Sequence, residues 1–163
     1  MTTPSGGSRV MRWALPALLL VARPAAAQQR VVLTVSGGPV AFAAPAAADF
    51  VTGSIQATTP LSYNVNITSG SRRTLRTTSV AIRSTSSTFG TAPLTDLQWR
   101  RSDLATWTSL TTANVTVESR QISRNTGNNW TNSVVIRSLL HWTADPPATY
   151  TANLVITLTV TTP

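Results

Sequence analysis

The chain has 163 residues, of which 13 are Arg, five are Asp or Glu, one is His and none is Lys or Cys. Charged residues make up 11% and hydrophobic residues 42% of the chain, which excludes a disordered, charge-rich tail. The absence of Cys excludes disulfide frameworks, thiolate zinc sites and cysteine nucleophiles. This length and composition predict one folded domain with, at most, one processed segment.

The first 27 residues have the pattern of a secretory signal peptide. Its parts are a positive region with Arg9 and Arg12, an apolar core over residues 13–21, and small residues at 25–27. An uncleaved anchor is disfavoured, because an apolar core this short, interrupted by Pro16, cannot cross about 30 Å of hydrocarbon. We predict cleavage before Gln28, leaving 136 residues with a net charge of +5, and no integral membrane segment in the mature form. The destination would be the periplasm, the outer cell surface or the medium.

β-Branched residues dominate the mature sequence, where Thr alone fills 26 positions, and such residues favour strands over helices. Apolar and polar residues alternate in several segments bounded by turn-forming residues, which is typical of half-buried strands. The expected strands are residues 30–35, 61–68, 77–84, 97–101, 106–110, 115–117, 134–142 and 150–160. Two of them, 97–101 and 106–110, are expected to form a hairpin. The Ala-rich residues 40–53 are expected to be irregular or to lie at an edge.

The last segment has the longest alternation. It places Tyr150, Ala152, Leu154, Ile156, Leu158 and Val160 on one face. Its expected partner is the strand 134–142, joined to it by a proline corner at residues 145–147. Regularly spaced strands separated by turns predict an all-β fold, an antiparallel immunoglobulin-like (Greek-key) β-sandwich of about seven strands, with a barrel as the main alternative. Residues 28–163 would form this single β-sandwich domain.

Residues 148–160, with the sequence ATYTANLVITLTV, resemble the last strand of several secreted bacterial sandwich families. These families include spore coat protein U-like and other pilin-like subunits and the cell-surface WxL domain. The segments Val40-Ala41-Phe42 and Gly53-Ser54-Ile55 also resemble the opening of the coat protein U-like domains, although those proteins usually carry Cys. The resemblance implies a secreted bacterial β-sandwich with a structural role.

Few residues are suited to catalysis. The single histidine, His141, lies in an apolar run, which favours a strand position over a catalytic base. The acids of the mature chain fall in turns or opposite Arg-bearing segments, where capping or surface pairing is expected: Asp49, Asp96, Asp103, Glu118 and Asp145. No two acids or His residues occur at metal-ligand spacing. The sequence therefore predicts no enzyme activity, no catalytic residue, no metal and no cofactor.

Tryptophan and arginine side chains are the candidate ligand contacts, namely Trp99, Arg101, Trp107 and Trp130. They would suit a glycan or an anionic polymer, because flat rings stack on sugars and guanidinium groups pair with oxyanions. Core packing of the two hairpin tryptophans is the favoured alternative. Arg groups such as Arg100 with Arg101 would, on the favoured interpretation, protect exposed sheet edges. Nucleic acid is not expected as a partner, because the chain is predicted to be exported.

Two functions remain open. The first is a structural or adhesive surface subunit, pilin-like or coat-like, that joins itself or other surface subunits by strand addition or edge pairing. The candidate assembly strands carry Val31, Leu33 and Val35 near the mature N-terminus and Tyr150, Leu154, Ile156, Leu158 and Val160 near the end, with residues 28–35 as a possible donor strand. The alternative is a monomeric extracellular module that binds glycans or an anionic polysaccharide.

Overall fold

The computed structural model describes residues 30–68, 75–122, 129–141 and 151–161. The expectations for the signal peptide (residues 1–27), the corner at 145–147, Asp145 and Tyr150 lie outside these residues. The elements in chain order are β1 (Arg30–Ser36), α1 (Ala47–Thr52), β2 (Ser54–Gln56), β3 (Leu61–Thr68), β4 (Arg76–Ser84), β5 (Thr88–Phe89), β6 (Ala92–Pro93), β7 (Leu97–Arg101), β8 (Thr108–Ser109), β9 (Val115–Ile122), β10 (Trp130–Leu139) and β11 (Leu154–Thr161). A 3-10 turn, Leu94–Asp96, precedes β7.

Six strands form the large sheet, in the order β1-β3-β10-β7-β8, with β2 beside the end of β10. Every pairing in it is antiparallel. The alternation of β3 explains its place near the centre, because its apolar residues Leu61, Tyr63, Val65 and Ile67 are all buried. The predicted hairpin is present, with Trp99 opposite Thr108 in β7 and β8.

Three strands form the small sheet, in the order β11-β4-β9, again with antiparallel pairing. Val80 and Ile82 of β4 point into the core, as their alternation predicts, and both are fully buried. The register between β4 and β9 shifts between Val80 and Ala81, which makes a β-bulge in β9. The strands β5 and β6 form a separate two-stranded hairpin.

The hydrophobic core lies between the large and the small sheet and takes buried residues from both. The Tyr63 hydroxyl of the large sheet reaches across it and donates to Glu118 of the small sheet, over 2.6 Å. The expectation of an all-β, antiparallel fold is therefore confirmed, and the strands predicted near residues 30–35, 61–68 and 77–84 have nearly the predicted bounds.

The predicted partner of the last strand was wrong. The last strand, β11, pairs with β4 over its whole length, from Leu154 opposite Ser84 to Thr161 opposite Thr77. The expected partner, β10, has no edge left for it, because β3 and β2 occupy one edge and β7 the other. Alternation alone does not show whether a strand such as β10 is paired on both edges or still has an edge free for the next strand in the chain.

Of the segment 40–53, expected to be irregular or to lie at an edge, residues 40–46 are irregular apart from one bridge between Phe42 and Ala57, but Ala47–Thr52 form the short helix α1. The Asp49 carboxylate accepts a hydrogen bond from the Ala46 backbone N–H at 2.8 Å, which caps the start of the helix. The helix ends at Gly53, whose φ of 69° lies in the left-handed region that glycine adopts readily.

Candidate functional site

Strands β1 and β11 are the free edges of the two sheets, and they lie side by side at one lateral face of the molecule. Within the described residues, no strand pairs with the outer edge of either. β1 has seven residues with a single charge, Arg30, and β11 has eight with none. Long, uncharged edges are ready to pair with another strand. We call this pair of edges the β1/β11 seam.

The inner faces of the seam strands are incompletely covered. Residues that point inward from the neighbouring strands β3 and β4, such as Val65 and Ile82, are 0% exposed. By contrast, Val35 of β1 lies on the same face as half-buried Val31 and Leu33 but is 43% exposed. The inward residues of β11 are likewise only half-buried over Leu154, Ile156 and Leu158, and Val160 is 37% exposed. The core therefore remains partly open along the whole seam.

An apolar cleft of about 1310 Å³ opens at one end of the seam. It lies where β1 ends and β11 begins, and its wall includes Val35, Phe42, Leu61, Phe89 and Ile156. Of the described residues that line it, none is charged and none is a histidine. The described wall of the cleft therefore suits apolar side chains.

The hydrogen bonds between β11 and β4 determine which backbone groups of β11 face outward. The Thr85 N–H donates to the Asn153 carbonyl at 2.9 Å, so Asn153 turns its backbone groups toward β4. In an antiparallel pair, the backbone N–H and C=O groups of successive residues point alternately toward the partner strand and away from it. Because the register does not shift, the backbone groups of Val155, Thr157 and Thr159 also face β4. The amides of the other residues point to the free edge: Leu154, Ile156, Leu158 and Val160. These are also the residues predicted from the sequence as an assembly strand.

The opposite edges of both sheets are protected. The edge of the large sheet is β8, which has only two residues. The edge of the small sheet is β9, which has the bulge and carries Glu118 and Arg120. Short strands, charges and bulges are the features that prevent edge-to-edge pairing. Among the edges that the structure describes, only the seam strands are long, free of a bulge and, apart from Arg30, uncharged.

The bulge in β9 also explains an error in the sequence analysis. In regular alternation with Val115 and Val117 inward, Glu118 would point outward, where surface pairing was expected. The bulge pairs Thr116 with Ala81 and Glu118 with Val80, so Glu118 turns inward and is 7% exposed.

A hydrogen-bonded network holds this buried carboxylate. Its Oε1 accepts from Arg120 Nε at 2.6 Å and its Oε2 from the Tyr63 hydroxyl at 2.6 Å, while Arg101 Nη1 lies 3.7 Å from Oε1. Burial opposes ionisation, but Tyr63 and Arg120 together hold the pKa of Glu118 below its usual range. Burial and the bond to Glu118 raise the pKa of Tyr63 far above its usual range. Glu118 is therefore a buried carboxylate bound to a buried tyrosine and to a more exposed arginine.

The candidate ligand residues do not form one site. Trp99 and Trp130 are 6% and 7% exposed, so neither presents a free ring face in this structure. Arg101 is bound to Asp103, with Nη2 and Oδ2 at 2.9 Å, and this bond raises the pKa of Arg101. Trp107 alone is only half-buried, and two arginines approach its ring, Arg100 and Arg137. Arg137 and Trp107 are far apart in the chain, so no local sequence pattern connects them.

The remaining titratable residues are scattered. His141 lies beyond the end of β10, is half-exposed, and has its Nε2 3.5 Å from Asp96 Oδ2. Among the described residues, no group of three His, Asp or Glu side chains is placed to hold a metal ion. In the same part of the chain, no helix is long and apolar enough to cross a membrane.

No family model, curated protein or solved structure matches the chain.

Proposed function

We propose that this chain is a secreted structural or adhesive subunit of a bacterial surface layer, coat or fibre, pilin-like or coat-like and without catalytic activity. Its copies would associate along the β1/β11 seam by strand addition or edge pairing. The observation that carries the proposal is the seam itself, where two long, nearly uncharged edges lie beside each other over a partly open core.

The physical argument compares the two sides of the molecule. The edges at β8 and β9 have the features that block pairing, whereas the seam edges have none of them apart from the single charge of Arg30 at the start of β1. A strand laid along β11 would bond its outward amides and cover Leu158 and Val160. Covering the exposed part of an aliphatic side chain such as Val35 contributes up to about 1 kcal/mol, and several such side chains lie along the seam.

The immunoglobulin-like (Greek-key) arrangement belongs to the same proposal. It is supported by two antiparallel sheets that share one core, with consecutive strands β3 and β4 in different sheets. Residues 28–35 are a weaker donor-strand candidate than the sequence suggested, because Arg30–Ser36 pairs with β3 of its own chain. Donation of this strand to another copy would require it to leave that place, whereas edge pairing would not.

The test is the association state of the mature protein, residues 28–163, by sedimentation velocity at increasing concentration. We expect oligomers that grow with concentration, and we expect Val35→Lys to abolish them. An ammonium group buried without a partner costs at least about 3 kcal/mol, which is a loss of more than about 100-fold in association. The variant should still fold, because Val35 is 43% exposed and a Lys side chain can extend into solvent.

Val32→Lys is the matched control. Val32 lies on the same strand, is 36% exposed and points outward, so this substitution adds the same charge without blocking the seam. It should leave association nearly unchanged. A monomeric wild-type protein, or an equal loss in both variants, would contradict the proposal.

A further inference from the structure

A second feature, remote from the seam, lies on the outer face of the large sheet. The guanidinium carbon of Arg100 is 5.0 Å from the centre of the Trp107 ring, and that of Arg137 is 4.4 Å from it. Arg100 comes from β7 and Arg137 from the neighbouring β10, where it is paired with Gln98. All three side chains are half-buried, so they remain accessible to solvent. We call them the Arg/Trp cluster.

Within the described part of the chain, no acidic side chain neutralises the two positive charges of the cluster. No carboxylate among the described residues lies within 4 Å of either guanidinium, because the described acids are engaged elsewhere: Asp49 with Ala46, Asp96 with His141, Asp103 with Arg101, and Glu118 with Arg120. A ring face attracts a cation, but it does not cancel the repulsion between two cations held beside it.

Each guanidinium also keeps unused hydrogen-bond donors. Among the residues that the structure describes, Arg100 donates through Nη1 alone, to the carbonyls of Ser102 and Leu104. Arg137 donates through Nε and Nη2 to one oxygen, the Gln98 Oε1, at 2.8 and 2.6 Å. A guanidinium has five N–H donors, so each group has N–H bonds left for a ligand. The neutral partners hold the two groups in place without satisfying their charge.

We propose that the Arg/Trp cluster is a binding site for the carboxylate groups of an acidic polysaccharide. A carboxylate matches the planar fork of a guanidinium with two parallel hydrogen bonds, and it supplies the negative charge that the cluster lacks. The indole edge beside the fork offers apolar surface to the C–H groups of a uronic acid ring. The charge of +5 predicted for the mature chain favours the approach of such a polymer.

The site is independent of the proposed assembly. In the order of the large sheet, β3 separates β10 from the seam strand β1. A subunit could therefore join its neighbours through the seam and bind polysaccharide through the cluster. Failure of one proposal leaves the other standing, because Val35→Lys tests only the seam.

The test is titration of the mature protein with polygalacturonate, followed by isothermal calorimetry and Trp fluorescence. Replacing Arg137 by Gln should weaken binding by about tenfold, as expected for the loss of a charge-assisted bond pair. Arg83→Gln is the control, because Arg83 is a half-buried arginine on β4 of the small sheet and its loss removes the same net charge. The control should bind within about twofold of wild type.

One further variant and one further ligand distinguish this proposal from attraction by net charge and from binding to a lipid surface. Arg137→Lys keeps the positive charge but loses the planar guanidinium group, which can pair with a carboxylate through two N–H donors and lies over the Trp107 ring. We therefore expect this variant to bind nearly as weakly as Arg137→Gln. Equal weakening by Arg137→Gln and Arg83→Gln, or wild-type binding by Arg137→Lys, would show attraction by net charge alone and overturn the proposal. Binding to phosphatidylglycerol vesicles without binding to polygalacturonate would also overturn it, in favour of phosphate on a lipid surface.

Discussion

Replacing Glu118 by Gln tests whether the buried network stabilises the fold. Glu118 is 7% exposed, and its two oxygens accept from Arg120 and Tyr63 at 2.6 Å each. Gln keeps the size of the side chain but has one acceptor oxygen and no charge, so the bond to Arg120 loses its ionic partner. Because a hydrogen bond to a charged group contributes about 1.5–3 kcal/mol, we expect a loss of about 2 kcal/mol in the free energy of unfolding.

The assay is chemical and thermal unfolding of the mature protein, followed by circular dichroism. A loss of this size corresponds to a fall of roughly 5–10 °C in Tm for a domain of this length. Asp103→Asn is the matched control, because Asp103 also pairs with Arg101 but its side chain is 53% exposed. We expect this control to leave Tm nearly unchanged. A Glu118→Gln protein as stable as the wild type, or an equally large loss in the control, would refute the reasoning.

Two further predictions concern pH and the turn after β1. Since the network lowers the folded-state pKa of Glu118, its contribution is present above the ordinary Glu pKa of 4.5 and is lost as the pH falls through the lowered value. Urea unfolding from pH 6 to about pH 3 should therefore show a steeper loss for the wild type than for Glu118→Gln; parallel curves would argue against an ionised Glu118. Gly37→Ala should destabilise by at least about 2 kcal/mol, because Gly37 has a φ of +93° and an added Cβ would lie 2.5 Å from the Pro60 carbonyl oxygen. Gly38→Ala, whose Cβ would meet nothing closer than Leu61 Cδ2 at 4.0 Å, is the control in the same unfolding assay, and an equal loss in both would show that the clash is not the cause.

Alternation predicted those parts of the fold that depend on one strand at a time. The buried faces of β3 and β4, including Val65 and Ile82, follow directly from period-two patterning. Pairing partners depend on the whole sheet, and for this reason the last strand was assigned to β10 and not to β4. The inward turn of Glu118 depends on a bulge whose residues, Thr116 and Val117, have no special sequence signal.

The candidate sites were likewise predictable where they depend on the pattern of one strand and not where they depend on contacts between strands. The seam residues Leu154 to Val160 were selected from their pattern, and the structure places them on a free edge. Which tryptophan is accessible was not predictable, because Trp99 and Trp107 lie on the same hairpin and differ only in the face they occupy. The approach of Arg137 to Trp107 required the register of β10 against β7.

Hydrogen exchange at the backbone of β11 tests the proposed strand addition most directly. The wild-type mature protein would be compared at high concentration with the Val35→Lys variant as the monomeric reference. In the monomer, the outward amides of Ile156 and Leu158 should exchange rapidly, whereas those of Val155 and Thr157 should be protected by β4. We predict that assembly protects the outward amides as well. Rapid exchange of Ile156 and Leu158 in both samples would contradict association along the β1/β11 seam.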